Sequence, residues 1–323
     1  MTTMTQEQAA WFAEIFGRLV SGVERVLLGK TFVIRLGFTA LLSEGHLLLE
    51  DYPGTGKTSF ARAIAQSVDG RSSRIQFTPD LLPGDITGVS IYDQRSGEFE
   101  YHPGPVFANI VLADEINRAS PKTQSALLEV MEERHVTVDG VTHPVAAPFM
   151  VIATQNPVEQ AGTYRLPEAQ LDRFMLKTSI GYPDHASTLR ILDGAAPPHE
   201  TELEAVVPAE VVVEMAQLAR TAFVDPTITD YAARIVDATR SATEVRLGAS
   251  VRGAIALIRS AKTLAAASGR HYVIPDDIKT LAGPVLAHRL ILDPEAEFDG
   301  VTAEGVLAQI LLETPPPSER QAV

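Results

Sequence analysis

A short glycine-rich segment has the residue types that hold a polyphosphate. Its members are Pro53, Gly54, Thr55, Gly56, Lys57, Thr58 and Ser59. Glycines let backbone N–H groups approach phosphate oxygens, a lysine neutralises phosphate charge, and a threonine hydroxyl can bind Mg²⁺. The general pattern G-x-x-x-x-G-K-[ST] has glycine at its first position, where this chain has Asp51. The segment predicts a site for a nucleotide's phosphates and Mg²⁺, with Thr58 as a metal ligand.

Two adjacent carboxylates follow an apolar run further along the chain. Residues 110–113 are Ile-Val-Leu-Ala, and Asp114 and Glu115 come directly after them. In phosphate-loop enzymes an aspartate at this point holds Mg²⁺, and a following glutamate can act as the general base for the attacking water. Alone, the pair is an ordinary loop feature. Together with Lys57, which would neutralise the β- and γ-phosphates, it predicts hydrolysis of a bound nucleoside triphosphate.

The segments that must position these residues read as an α/β sheet. Short apolar runs predict strands at 46–49, 74–77, 110–113, 149–154 and 176–180. The stretch Thr58–Val68 is rich in helix formers and predicts a helix directly after the glycine-rich segment. Strands that alternate with helices or hairpins indicate a parallel sheet. We therefore expect Lys57 and Asp114 to converge near the terminal phosphate.

Helical patterns flank the sheet on both sides. Apolar residues four apart from Trp11 to Val23 predict an amphipathic helix over Gln6–Leu28. Beyond Pro183, helices are predicted at 210–222, 230–243, 251–268, 276–288 and 303–312. The sequence thus predicts a nucleotide-binding core with its N-terminal helix at 1–182 and a helical lid at 183–313. The tail 314–323 contains three consecutive prolines and is expected to be disordered.

Composition excludes several classes of function. The 323 residues contain no cysteine, which removes disulfides, thiolate catalysis and cysteine-bound metals. The eight histidines lack metal-ligand spacing, so a protein-bound transition metal is not expected. A formal net charge of −14 disfavours extensive nucleic-acid binding. The chain has no apolar run of about 18 residues and no basic start like a signal peptide, so we expect no membrane span and a cytoplasmic location.

Long strings in the chain resemble the MoxR family of AAA+ ATPases. They include LLLEDYPGTGKT, QFTPDLLPGDITGVSIYD, EFEYHPGPVFANIVLADEINRASPKTQSALLEVMEE, VIATQNPVEQAGTYRLPEAQLDRF and GASVRGAIALIRSAK. The resemblance extends from about Leu28 to about Leu292. It implies an AAA+ P-loop core with a parallel five-stranded sheet, followed by an all-α lid domain.

The resemblance also implies roles for individual residues. Asn156 matches the sensor-1 position, Arg173 the arginine finger that reaches a neighbour's ATP, and Arg252 the sensor-2 position. The stretch around Leu28 and Gly29 is implied in adenine recognition. Each has an ordinary alternative: an Asn-Pro turn at Asn156, an Asp-Arg surface pair at Arg173 and a solvated side chain at Arg252.

Two departures and two inserts accompany the match. Val251 and Arg165 stand where the family usually has proline, and Val251 puts the aim of the sensor-2 helix in doubt. The segments 88–101 and 135–145 predict hairpins, the second through an Asp-Gly turn between alternating apolar residues. In the family the corresponding inserts face the pore of a ring. The alternative is that both hairpins are scaffold without client contact.

The resemblance implies a ring oligomer, expected to be a hexamer, that uses ATP to remodel or mature a protein partner. Family relatives act with proteins that carry von Willebrand factor A domains. The first alternative is a chelatase-type motor subunit for metal insertion. A nucleic-acid motor and a nucleotide-gated scaffold with little hydrolysis are further alternatives.

Overall fold

The computed structural model describes residues 3–51, 54–156, 164, 166–193 and 203–317. Three parts of the sequence-based assignment fall outside these residues: Pro53, Arg165 and the tail from 318 onward. Within the described ranges, no helix combines the length and the apolarity needed to cross a membrane.

The helices begin where the sequence supplies caps or a proline. Ser120 accepts a hydrogen bond from the backbone N–H of Thr123, and Pro121 opens the helix. Ser250 and Thr302 cap two later helices in the same way. The α-helices are α1 Gln6–Glu24, α2 Thr31–Leu42, α3 Lys57–Ser67, α4 Pro83–Thr87, α5 Pro121–Glu133, α6 Glu168–Leu171, α7 His185–Leu192, α8 Ala209–Ala219, α9 Pro226–Ser241, α10 Val251–Ala267, α11 Pro275–Leu286, α12 Pro294–Phe298 and α13 Ala303–Glu313. Short 3₁₀ turns cover Ile116–Arg118 and Ala287–Arg289.

The strands form one larger sheet and three two-stranded ones. They are β1 Leu47–Glu50, β2 Ser72–Gln76, β3 Gly88–Asp93, β4 Glu98–Pro103, β5 Ile110–Asp114, β6 His135–Val138, β7 Val141–Pro144, β8 Met150–Gln155, β9 Leu176–Thr178, β10 Val245–Leu247 and β11 Ile291–Leu292. The five-stranded parallel sheet has the order β2-β5-β8-β1-β9, which confirms the predicted sheet. All of β5 is buried, as expected for a parallel strand that is covered on both faces.

Strand register brings polar residues to the carboxyl edge of this sheet. Gln76 lies opposite Asp114 on the neighbouring strand, and Ala113 lies opposite Ala153. On the other side of β8, Leu49 lies opposite Thr154. The ends of β2, β5, β8 and β1 therefore supply side chains to one place.

The two predicted hairpins form as antiparallel pairs, β3 with β4 and β6 with β7. Asp139 and Gly140 adopt positive φ at 51° and 79°, as a tight Asp-Gly turn requires. The hairpins contact each other, because the rings of Tyr101 and His143 stack with their centroids 4.1 Å apart. Tyr101 also donates a short hydrogen bond to the carbonyl oxygen of Thr87.

The chain divides into two compact units. One contains Arg18–Phe174 and Thr178–Val213. In its core, Leu127 and Leu128 of α5 pack against buried residues of the sheet. The other contains Met1–Gly17, Met175–Lys177 and Glu214–Val323. In it α10 packs on α9 and α11, and the short β10–β11 pair adds a small sheet that the sequence did not predict. The domain boundary expected at residue 182 stays a prediction.

Candidate functional site

The predicted phosphate loop connects β1 to α3. Gly54 and Gly56 adopt positive φ of 83° and 90°, and a Cβ at either would meet open space. Glycine is therefore favoured there by backbone conformation rather than by crowding. Helix α3 begins at Lys57 without a side-chain cap, so its first N–H groups suit an anion. Thr58 is exposed in the first turn, whereas Thr55 is buried and Ser59 half-buried.

Asp51, the departure from the general pattern, has a structural role. Its side chain is 4 % exposed, and both carboxylate oxygens lie 3.2 Å from the backbone nitrogen of Gly181. One of them also accepts a short hydrogen bond from the N–H of Ile180. Lys57 Nζ donates to the carbonyl oxygen of Asp51 at 2.9 Å. The aspartate thus ties the loop to the segment that follows β9.

Asp114 and Glu115 share one hydroxyl. The Oγ1 of Thr154 donates to Asp114 Oδ1 at 2.6 Å and accepts from the backbone N–H of Glu115 at 2.9 Å. Thr154 is fully buried, so this arrangement is shielded from solvent. Glu115 adopts the left-handed conformation, with φ 56° and ψ 50°. Such a conformation is strained for glutamate and turns its side chain out of the strand's alternation.

Two arginines neutralise the carboxylate pair. Arg74 Nη2 lies 2.6 Å from Asp114 Oδ2, and Arg118 Nη1 lies 2.8 Å from Glu115 Oε2. Gln76 Nε2 donates to the same Glu115 oxygen at 3.1 Å. Both carboxylates are therefore held by charge-assisted hydrogen bonds that limit their orientation.

The donor set suits Mg²⁺. Asp114 offers a carboxylate and Thr58 a hydroxyl, which are the hard oxygen ligands that Mg²⁺ prefers. In the part of the chain that the structure describes, no group of three or more His, Asp or Glu side chains could hold a metal by itself. A metal here would share its ligands with a polyphosphate, as Mg²⁺ does in nucleotide sites. Helix α3, which carries Thr58, packs against β5, which ends in Asp114.

Asn156 and Arg173 lie in the same unit as the loop. Asn156 follows β8 directly and is half-buried at the carboxyl edge of the sheet. Arg173 contacts α5 of its own chain: Nη1 donates to the carbonyl oxygen of Leu128 at 2.6 Å, and Nη2 lies 3.0 Å from Glu132 Oε2. The guanidinium is therefore engaged within one copy. Its role toward a neighbour stays a prediction.

The remaining predicted residues lie in two places. Arg252 is exposed in the first turn of α10, which belongs to the other compact unit. Gly29 has φ 72°, and a Cβ there would lie 2.5 Å from Ser187 Oγ. Ser187 lies in the first turn of α7, and Asp184 directly precedes that helix. The backbone N–H and the hydroxyl of Ser187 donate hydrogen bonds to the Asp184 carboxylate and hold its pKa below the usual value. Leu28, beside Gly29, is half-buried.

Sequence reasoning missed the residues that position the carboxylates. Thr154, Arg74 and Gln76 lie on the strands that flank β5, and each is polar at the carboxyl end of a strand or near it. That placement was a usable signal, because neighbouring parallel strands end at one edge. Arg118 follows Glu115 by three residues, but sequence reasoning gave it no role beside the carboxylates.

Comparison with known proteins identifies two matching families. Residues 46–176 match the model of the ATPase family associated with various cellular activities (AAA), and residues 237–310 match the AAA lid domain. A crystal structure of a proposed ATPase from Cytophaga hutchinsonii has a TM-score of 0.89 and 38 % sequence identity. That match covers 97 % of this chain and 98 % of the other.

Curated relatives support the same conclusion. The chain is 51 % identical to Bacillus subtilis (strain 168) YeaC, over 96 % of this chain and 97 % of that protein. It is 43 % identical to the Mycobacterium tuberculosis chaperone MoxR1, over 91 % of this chain and 80 % of that protein. It is 30 % identical to Methylorubrum extorquens protein MoxR, over 98 % and 97 %. The chain belongs to the MoxR family of AAA+ ATPases.

Proposed function

We propose that the protein hydrolyses ATP to ADP and phosphate and uses the energy to remodel a protein partner. The observation that carries the proposal is the Asp114–Glu115 pair, oriented by Thr154 at the edge of the sheet where the phosphate loop begins. The hydroxyl of Thr154 fixes the carboxylate of Asp114 and the backbone of Glu115 at that edge. Membership of an ATPase family supports the same reading.

Each predicted side chain has a distinct task in this reaction. Lys57 neutralises the β- and γ-phosphates, while Thr58 and Asp114 hold Mg²⁺. When bound, Mg²⁺ compensates charge that develops on the phosphate oxygens. Glu115 accepts the proton of the attacking water, and the Asn156 amide orients that water.

A ring would complete the site. We propose that Arg173 of one copy reaches the ATP of its neighbour in a hexamer, which is the oligomer expected from the family. In that state Arg173 must leave Leu128 and Glu132, its partners within one chain. Arg252 would contact the nucleotide as sensor 2, and Leu28 and Gly29 would contact adenine.

The partner is proposed to be a protein with a von Willebrand factor A domain, and the role to be chaperone-like. The name of the mycobacterial relative, chaperone MoxR1, supports the second point alone. A chelatase-type metal-insertion motor remains the alternative, and porphyrin binding by the complex would favour it. DNA-stimulated turnover at physiological salt would favour a nucleic-acid motor. The cytoplasmic location stays a prediction.

Phosphate release and nucleotide binding, measured together, test the proposed activity. Glu115→Gln should bind ATP but lose roughly 10²–10⁴-fold in turnover, because the general base is absent. Lys57→Ala should lose nucleotide binding as well. Turnover near that of the wild type in Glu115→Gln would remove Glu115 from the mechanism.

Client capture tests the remodelling role. Immobilised Glu115→Gln protein with ATP should retain a partner, because the ATP state persists. Lys57→Ala protein is the matched control and should release the same partner. Equal recovery from both variants would show that capture does not depend on nucleotide.

A further inference from the structure

The two side-chain oxygens of Asp114 have different partners. Oδ1 accepts from the hydroxyl of Thr154, and Oδ2 accepts from Nη2 of Arg74, each at 2.6 Å. The side chain of Asp114 is 11 % exposed, whereas that of Arg74 is 53 % exposed. A neutral donor therefore holds one oxygen from inside the protein, and a solvent-facing cation covers the other.

The strands fix this contact. Arg74 lies opposite Leu112, two residues before Asp114, and side chains two residues apart share a face of the sheet. Such diagonal neighbours lie within reach of a long side chain. The same Nη2 also donates to Gln76 Oε1 at 2.9 Å. Two acceptors on adjacent strands thus aim the guanidinium at Asp114.

A metal and this guanidinium need the same oxygen. Oδ1 is engaged by Thr154, so Oδ2 is the oxygen that Mg²⁺ or its bound water would address. Arg74 compensates the negative charge of that oxygen and repels a second cation nearby. We propose that Arg74 competes with Mg²⁺ for Oδ2 of Asp114. This inference rests on the proposed function, because it assigns the metal of ATP to Asp114.

The competition sets how strongly Mg²⁺ promotes nucleotide binding. The coupling between Mg²⁺ and nucleotide is measured by a coupling ratio, which is the nucleotide Kd without metal divided by the nucleotide Kd with saturating metal. Loss of Arg74 removes the competing cation, so this ratio should rise. Arg118 provides a matched control, because it is also half-exposed at 49 % and pairs with Glu115 instead of Asp114.

The experiment measures fluorescence of a ribose-labelled, non-hydrolysable ATP analogue bound to the full chain, in EDTA and in saturating Mg²⁺. Arg74→Gln should raise the coupling ratio roughly fivefold or more. Arg74→Lys, which keeps the charge, should stay near the wild type, as should Arg118→Gln. If Arg74→Gln does not fold, as judged by circular dichroism, Arg74→Met supplies the same test.

Three results would overturn the inference. The first is a coupling ratio in Arg74→Gln that is unchanged or lower than that of the wild type. The second is a rise of the coupling ratio in Arg118→Gln equal to that in Arg74→Gln. The third is a large loss of analogue affinity in EDTA for Arg74→Gln. The last would mean that Arg74 contacts phosphate directly. Failure of the proposed function looks different: the wild type would then bind no analogue in either buffer, or would bind it and release no phosphate from ATP.

Discussion

The buried carboxylate of Asp51 accepts hydrogen bonds from the backbone N–H of Gly181, which lies beyond β9. The general phosphate-loop pattern has glycine at this position, yet here the side chain anchors a remote segment. Asp51→Gly should therefore lower the free energy of unfolding by about 1–3 kcal/mol, because buried N–H groups lose their acceptor. Urea unfolding measures this loss.

Asp69→Gly is the control for that prediction. Asp69 is exposed with φ 47°, so glycine there relieves strain without removing an anchor. Asp51→Asn, which keeps one acceptor oxygen, should lie between Asp51→Gly and the wild type. Stability of Asp51→Gly equal to that of the wild type would deny the anchoring role.

Thr154 should control turnover more than nucleotide binding. Thr154→Val keeps the shape but leaves Asp114 and the N–H of Glu115 without their shared hydroxyl. Misplaced carboxylates should reduce turnover about 10–100-fold, while binding through the phosphate loop persists. Phosphate release and analogue binding provide the two readings. Thr154→Ser keeps the hydroxyl and should recover most activity, and unchanged turnover in the valine variant would contradict this role.

The Arg173–Glu132 pair should restrain the proposed arginine finger. The side chains are 30 % and 39 % exposed, so the pair is worth about 0.2–1 kcal/mol. Glu132→Gln should release Arg173 more often and raise turnover by a factor of about 1.5–5. Initial rates of phosphate release measure this effect. Because Arg173→Gln removes the finger itself, the double variant should show no gain, and a gain there would implicate another residue.

Tyr101 should resist ionisation at alkaline pH. Burial raises the pKa of Tyr101 above the ordinary value of 10.0. Because the pKa of Tyr101 is raised in the folded protein, the neutral phenol contributes to the free energy of unfolding. That contribution is complete below pH 10 and is lost as the pH rises through the pKa of the folded state. The difference in phenolate absorbance between the wild type and Tyr101→Phe should therefore rise at a higher pH than the phenolate absorbance of free tyrosine amide. Coincidence with the free amide would show that the phenol is solvated.

The sequence predicted the sheet and its motifs because both depend on local patterns. Apolar runs gave the strands, and the Gly-Lys-Thr and Asp-Glu groups stood at their ends. The short strands β10 and β11 could not be found this way, because two or three residues carry no periodicity.

The side-chain partners were less accessible, because they depend on register and long-range packing. Arg74 meets Asp114 only if β2 pairs with β5 in one register. Glu132 meets Arg173 through the packing of α5, which no spacing in the sequence encodes. The role of Asp51 likewise depends on where the chain passes after β9.

We propose that ATP is hydrolysed at a site shared by two copies of the chain, and subunit mixing is the experiment that tests this sharing. Lys57→Ala and Arg173→Ala proteins should each be nearly inactive alone, because every site lacks one component. Mixed in equal amounts and allowed to exchange, they should regain activity at about a quarter of the sites. Full turnover of Arg173→Ala alone, or no recovery from mixed rings that assemble, would show that each copy hydrolyses ATP without its neighbour.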